Sequence, residues 1–565
     1  MEIWRINLLD QSYSRQPVPV EWEHFGGRGL LARILLDEVP PTCEPLGPNA
    51  RLIFAPGLLV GHRISSCDRL SIGGKSPLTG GIKEANAGGT TGHALTSLGI
   101  KALILENRLP QGWWILRIDP EGVHFDPADD LAGLGVYETG ARLIERYGER
   151  IAASLIGPAG EMKLTGAGIQ NFDQDGVPAR IAARGGLGAV MGSKRLKAIV
   201  FQPKTGNQPA LVDPAGFQAA QKAFTLALLA HPQTASFRDY GTAAVGSLAN
   251  QYGAIPVRNF SAGSFDPMES ISADTLRELL LARGGKSNPS HACMAGCAIR
   301  CSNVFGDSAG QEVVSPLEYE TIGLMGSNLG IADLDMIAQL NRAVNDLGLD
   351  SIETGAALGV AADAGLWTFG DGERALALLA EIQAGTALGR VLGSGAAVTG
   401  RVFGIERVPV VKGQALSAYD PRTIKGTGVT YATSPQGADH TAGLTIRAKV
   451  DHLDPNGQIE VSRNAQINAA GYDSLGVCSF AGFGFAAAPE AIRDLLNARY
   501  GWQVATDILQ ALGRKTLLLE REFNRLAGFT AADDRLPEWM TREALPPKNA
   551  VFDVKPSDLD RLFDF

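Results

Sequence analysis

Four cysteines carry the clearest chemistry in this chain. Cys293, Cys297 and Cys301 follow one another at intervals of four, and Cys478 stands far downstream in Asp473-Ser-Leu-Gly-Val-Cys478. Thiolates gather where a soft metal holds them, and three close ligands completed by a remote one suit a cubane iron-sulfur cluster, hence electron transfer. Structural zinc is the competing reading, although zinc modules usually pair two short Cys or His steps; unligated thiols are a third. On a continuous helix the outer two of the triplet would stand about 12 Å apart, so the spacing predicts non-helical backbone there, helped by Gly296. Cys43 and Cys67 are read as ordinary small side chains.

The elements that must position these thiols divide along the chain. At 565 residues and 45% hydrophobic composition, two to four packed domains are expected. Short β-rich runs such as Ala50 to Ala55, Ala102 to Glu106 and Leu196 to Phe201 alternate with Gly and Pro turns up to about residue 205, and Ala- and Leu-rich stretches with helical spacing follow from Asp213. The pattern predicts an α+β chain: a β-rich domain over 1–208 and two mainly helical domains over 209–413 and 414–565. Glycine pairs recur in the first part, at Gly73-Gly74, Gly80-Gly81, Gly88-Gly89 and Gly185-Gly186; each is either a tight turn or a place where backbone approaches a ligand. Pro489 is expected in the first turn of a helix carrying Ile492, Leu495 and Leu496. The tail beyond Pro537 is expected to be an extended surface strap.

Several function classes are disfavoured by the totals. Sixty acidic against fifty-one basic residues give a formal charge of −9, with no long basic run, which argues against nucleic acid as a partner. An acidic redox partner would need a local basic patch that totals do not reveal. With six cysteines, four of them in one constellation, the reading is a reducing compartment, the cytoplasm. The N-terminus lacks a signal-peptide pattern, and no apolar run is long enough to predict a membrane span. No Gly-x-Gly-x-x-Gly follows a strand into a helix, so direct nicotinamide use is not expected.

Motifs spread over nearly the whole chain complete the reading: Gly26-Gly-Arg-Gly29, Lys75-Ser-Pro-Leu-Thr-Gly-Gly81, Asn86-Ala-Gly-Gly89, Ala183 to Lys194, Glu318-Tyr-Glu320, Asn345 to Asp350, Ala418 to Arg422, Tyr431 to Ser434, Gly437-Ala-Asp-His440 and Asp473 to Cys478. In this order they resemble the tungsten-dependent aldehyde:ferredoxin oxidoreductase family. The resemblance implies tungsten, or molybdenum, held by two pterins beside a [4Fe-4S] cluster, at the interface of the β-rich and helical domains, with magnesium bridging the pterin phosphates. Arg69, Asn86, Gly88, Arg184 and Gly185 would contact one pterin and its phosphate. Asn345, Leu349 and Asp350 would form one pterin motif, with Asn345 where the family has Asp, and Asp473, Val477 and Cys478 the other. Cys293, Cys297, Cys301 and Cys478 would ligate the cluster.

The chain departs from the family in having three residues between Cys293 and Cys297 instead of two, and Ala442 where some members carry lysine. By the same resemblance Glu320 would accept a proton from water during oxidation of an aldehyde to an acid, and His440 would hydrogen-bond the carbonyl oxygen. Glu318 is the alternative to Glu320, since in a strand the two would share a face while Tyr319 points away. Electrons would leave through the cluster to ferredoxin or an iron-sulfur subunit, in a homo- or hetero-oligomer. The competing functions are a catalytic subunit that reduces aromatic acyl-CoA rings, with Cys67 as the available metal thiolate, and a non-catalytic iron-sulfur or zinc scaffold.

Overall fold

The computed structural model describes residues 1–204 and 206–565. Its first part builds two six-stranded sheets. One contains β1 (Glu2–Asn7), β2 (Ser12–Gln16), β3 (Leu52–Pro56), β4 (Leu70–Lys75), β5 (Ile82–Ala87) and β6 (Ile100–Glu106), in the order β2-β1-β6-β3-β4-β5. The other contains β7 (Trp114–Ile118), β8 (Val123–Pro127), β9 (Ala152–Leu155), β10 (Ile169–Asn171), β11 (Arg180–Ala182) and β12 (Leu196–Phe201), in the order β11-β10-β9-β12-β7-β8. Only β1 with β6 and β12 with β7 run parallel. β3, β4 and β12 are buried along their whole length, so their sequences show no in-out alternation. Trp4, Phe54, Leu103, Leu116, Ile199 and Phe201 belong to one core shared by the two sheets.

From Pro214 onward the chain is mainly helical. A small sheet of β13 (Asn288–His291), β14 (Ser302–Gly306) and β15 (Glu312–Val314) interrupts the helices, and the cysteine triplet lies on the loop between its first two strands. That loop is irregular and Gly296 sits at φ +76°, as the spacing predicted. The helix Gln458–Leu475 leads to Cys478 and packs along the helix Ile508–Leu526. Their contact is close because glycines stand at it: a Cβ on Gly513 would fall 1.9 Å from the Ile467 carbonyl oxygen. The same helix is tied to the first sheet, since the N–H groups of Leu58 and Leu59 donate to the carbonyls of Ser474 and Leu475 at 3.2 and 2.9 Å.

Three local expectations are corrected. Glu318-Tyr-Glu320 is not a strand: Glu318 caps a helical turn beginning at Tyr319, which runs on into a wider turn over Ile322–Gly326. Pro489 lies in the turn before the helix Ala491–Tyr500 and not in its first turn, although Ile492, Leu495 and Leu496 are buried as expected. The tail is no surface strap, because it forms the short helices Trp539–Arg542 and Pro556–Leu559 and buries Phe552, Val554 and Leu562 in the helical core. Among the described residues no single helix is long and apolar enough to cross a membrane.

Candidate active site

The four cysteines meet at the seam between the first sheet and the helices. Ser66, held at φ +61° in the Ile64–Cys67 turn, touches both arms of the constellation. Its hydroxyl lies 3.4 Å from Cys297 Sγ, and its carbonyl accepts from the Cys478 N–H at 2.8 Å. The neighbouring Ser65 hydroxyl accepts from the Ala298 N–H at 2.9 Å. Cys297 is drawn down to about 5 by the Cys293 thiol donating to it, with Ser66 and the N–H groups of Arg300 and Ile299 adding to the effect against burial. Cys293 is pushed up chiefly by that same hydrogen bond, and Cys301 by burial. Cys67 is buried, directs its thiol to the Ser65 carbonyl at 3.3 Å, and feels Cys478 and Cys297, on the cysteine side of the site.

The first group of candidate pterin contacts surrounds this centre. Arg69 donates to the Asn86 side chain and to the Asn86 carbonyl. Its guanidinium sits among Cys478, Cys293, Asp473 and Glu84, whose charges raise its pKa against burial. Gly88 lies close against the triplet: a Cβ there would stand 3.3 Å from Cys293 Sγ, a tight contact. Asp473, in the last turn of its helix, accepts from Arg28 at 3.2 Å, and Val477 is buried beside it. Burial raises Asp473 to about 6 in spite of Arg28 and Arg69, while burial and the Asp473 charge raise Glu84 to about 8. Near neutral pH Glu84 therefore keeps its proton.

The second group lies on the other side, where the second sheet meets the helices. Arg184 and Gly185 both adopt left-handed backbone after β11, and a Cβ on Gly185 would collide with the Lys83 side chain at 2.5 Å. Arg184 Nε faces Asp350 Oδ2 at 3.3 Å, yet both atoms lack a hydrogen-bond partner. Asp350 caps the helix Ser351–Asp363 through its other oxygen. Leu349 is buried and its backbone bridges to Ala167. Asn345 is set apart, with its carbonyl accepting from Gly348 and its side chain beside Tyr137.

Glu320 and His440, 120 positions apart in sequence, come together: Glu320 Oε1 is 3.4 Å from His440 Nε2. Glu320 Oε2 accepts from the Ala418 N–H at 2.8 Å, whereas Oε1 is buried with no hydrogen-bond partner. His440 Nδ1 is 2.9 Å from Ser417 Oγ, and Arg184 donates to that same oxygen at 3.2 Å. A guanidinium only donates, so Ser417 accepts from Arg184 and keeps one lone pair and one hydrogen with which to meet either tautomer of His440 at Nδ1. Glu318 goes elsewhere: it accepts from Thr242 and lies on the Cys301 side.

Sequence reasoning missed most of what holds these residues. Arg28 forks onto Glu520 at 2.8 and 2.9 Å, and Glu520 also accepts from Gln436 at 2.7 Å. Lys83 pairs with Asp439 at 2.8 Å; burial opposes the charge, but Lys83 and Arg184 hold Asp439 well below the usual carboxylate range. Glu353 accepts from Ala396 and Ala415 at the foot of the Arg184 site, and burial raises it to about 7. Tyr431 is buried near Glu320 and Arg184, with its hydroxyl toward Ser417. Arg28, Asp439 and Tyr431 stood inside recognised motifs, but Glu520 lies on an ordinary amphipathic helix that offers no local signal.

Two six-stranded sheets facing a helical part, with four cysteines and the buried Arg69 and Arg184 at the seam, define a protein of two-part α+β architecture. The family models of the aldehyde ferredoxin oxidoreductase N-terminal domain and of its domains 2 and 3 match residues 3–203 and 219–564, and the chain belongs to that family. The tungsten-containing aldehyde ferredoxin oxidoreductase of Pyrococcus furiosus is 33% identical over 550 residues, covering 92% of this chain and 88% of that protein. The enzyme of the same description from Pyrococcus abyssi is 32% identical over 576 residues, covering 96% and 92%. Among solved structures, the active site complex BamBC of benzoyl coenzyme A reductase with 1,5 dienoyl-CoA matches with a TM-score of 0.81 at 19% identity, covering 100% of this chain and 93% of that one. At that identity the likeness shows a shared fold.

Proposed function

We propose that this protein is a tungsten-bis-pterin oxidoreductase that oxidises aldehydes to carboxylic acids and passes the electrons through a [4Fe-4S] cluster to ferredoxin or an iron-sulfur subunit. The observation that carries the reading is the Glu320 and His440 pair at 3.4 Å, with one free carboxylate oxygen, beside Arg184 and Asp350. The residues fit the implied cofactors. Glu320 Oε1 is a buried carboxylate oxygen without a hydrogen-bond partner, and Arg184 Nε and Asp350 Oδ2 face each other at 3.3 Å without a well-aligned hydrogen bond, an arrangement a bound polar group would satisfy.

The thiol spacing supports a cluster over zinc. Tetrahedral zinc with bonds of about 2.3 Å needs sulfurs roughly 3.8 Å apart, but no three cysteine sulfurs among the described residues lie within 4.8 Å of one another. Cys293, Cys297, Cys301 and Cys478 would hold the cluster. Arg184 and Gly185 stand with Asp350 and not with Arg69, so the five residues expected to contact one pterin divide. Arg69, Asn86, Gly88, Asp473 and Val477 would hold one pterin, and Arg184, Gly185, Leu349, Asp350 and Asn345 the other, with magnesium as a further cofactor. When bound, the metal-pterin centre supplies a two-electron acceptor and the cluster a one-electron exit.

The chain's own residues then handle protons. The Ala418 N–H fixes Glu320 Oε2, so Oε1 is the atom that takes a proton from the attacking water. His440, carrying a hydrogen on Nε2, would donate to the aldehyde oxygen as negative charge grows on it. Ser417, itself held by Arg184, positions the ring through Nδ1. A cleft of about 600 Å³ lined by Tyr252, Ile446 and Arg447 lies on this side of the molecule, with Arg447 neighbouring Tyr419, whose ring is 5.8 Å from that of His440. We also keep the division at residues 208 and 413 and a cytoplasmic location as part of this proposal. The placement of Cys67 on the cysteine side, turned to Ser65, supports the aldehyde reading over an aromatic acyl-CoA reductase with a thiolate on its metal.

Metal analysis of protein purified anaerobically from its own host, joined to aldehyde-dependent dye reduction, tests this. Tungsten or molybdenum near one per chain with about four irons is expected; zinc alone would overturn it. Glu320→Gln should lower kcat by at least about 10²-fold with metal content unchanged, and retained turnover would remove Glu320 from its role.

A further inference from the structure

The chain is acidic overall, yet one cleft of about 570 Å³ is basic. Arg63, His93, Arg150 and Lys204 line it together with Tyr147 and Asn207, and no carboxylate does. Arg63, Arg150 and Lys204 are exposed. The cleft also adjoins the cysteine centre. A Cβ on Gly296, the exposed glycine between Cys293 and Cys297, would stand 3.3 Å from the Arg63 carbonyl oxygen. Three residues on from Arg63, Ser66 contacts Cys297 and Cys478. Three residues of extended chain span at most about 11 Å, so the basic wall is a short path from the Cys297 thiol and from the backbone of Cys478.

We propose that this cleft is the docking surface for an acidic electron-carrier protein of the ferredoxin type, which places the carrier's cluster over the Arg63 to Ser66 turn. The proposal rests on the electron-transfer reading given above. Charge complementarity selects the occupant: a protein of net charge −9 repels an acidic partner everywhere except at a local basic patch, and such a patch steers encounter and orientation. Among the described clefts, the one near His440 also holds Arg447 and Lys449, but Asp451 shares its lining.

The test uses the cofactor-loaded enzyme and an acidic ferredoxin purified from the same host, with binding measured by calorimetry in the absence of aldehyde. The variant Arg63→Glu, Arg150→Glu, Lys204→Glu should raise the ferredoxin Kd at least tenfold at low salt and lose the steep weakening with salt shown by the parent. Reduction of a small viologen dye should stay within twofold of the parent. Arg150→Glu alone, remote in sequence from the cysteine loop, should raise Kd severalfold and guards against damage to that loop. Unchanged ferredoxin affinity in both variants would overturn the proposal, as would an equal loss in the distant control Arg374→Glu, Arg401→Glu, or a cleft that binds inorganic phosphate but not ferredoxin. Failure of aldehyde oxidation in the parent, with ferredoxin binding intact, would overturn the substrate reading and leave the docking surface standing.

Discussion

At the scale of single residues, burial decides which charges survive. Glu84 is raised to about 8 from 4.5 by desolvation and by Asp473, even though Asn86 donates to it at 3.2 Å. The folded protein therefore holds a proton that the unfolded chain gives up above pH 4.5, and stability falls as pH rises from there to about 8. Glu84→Gln keeps a hydrogen-bonding amide but cannot ionise. Thermal inactivation followed between about pH 6 and pH 8.5 should show the parent weakening with pH more steeply than this variant; parallel profiles would show that Glu84 is charged throughout.

Elements bring the residues into register, and glycine contacts set how closely they can approach. The helices Gln458–Leu475 and Ile508–Leu526 touch backbone to backbone, where a Cβ on Gly513 would meet the Ile467 carbonyl oxygen at 1.9 Å and one on Gly471 the Leu509 carbonyl oxygen at 2.5 Å. Gly513→Ala must push the helices apart, a steric strain of about 1–3 kcal/mol by comparison with overpacked cores. Since Asp473 and Cys478 ride on the first of them, iron content and resistance to proteolysis should both drop in this variant. Full iron content with normal resistance would mean the crossing relaxes at no consequence to the site. The helical turn at Tyr319 acts in the opposite direction, separating Glu318 and Glu320 so that one faces Thr242 and the other His440.

Over the whole molecule, a buried ion network joins the ends of the chain. Arg28 and Glu520 are 2% and 1% exposed, lie 492 positions apart, and share a forked hydrogen bond that continues to Asp473 and Gln436. Arg28→Met leaves Glu520 buried without its partner, a loss of about 3–5 kcal/mol. The half-life of thermal inactivation should shorten by at least tenfold, and the double variant Arg28→Met, Glu520→Leu should recover most of it. If the second substitution restores nothing, the network acts through cofactor binding and not through charge burial.

Local patterning was legible in the sequence. Cysteine spacing, Gly296 in the triplet and the strand-to-helix change near residue 208 are short-range patterns, written in a few adjacent side chains, and the motif order was enough to place the chain in its family. The irregular cysteine loop followed from spacing alone, because an ordinary helix cannot bring such thiols together. What only the tertiary structure decided was every pairing between distant segments: Glu320 with His440, Ser417 between Arg184 and His440, Arg28 with Glu520, and the diversion of Glu318. These depend on which atoms are stripped of water when the sheets close against the helices. Desolvation acts through space, so no local pattern of residue types records it.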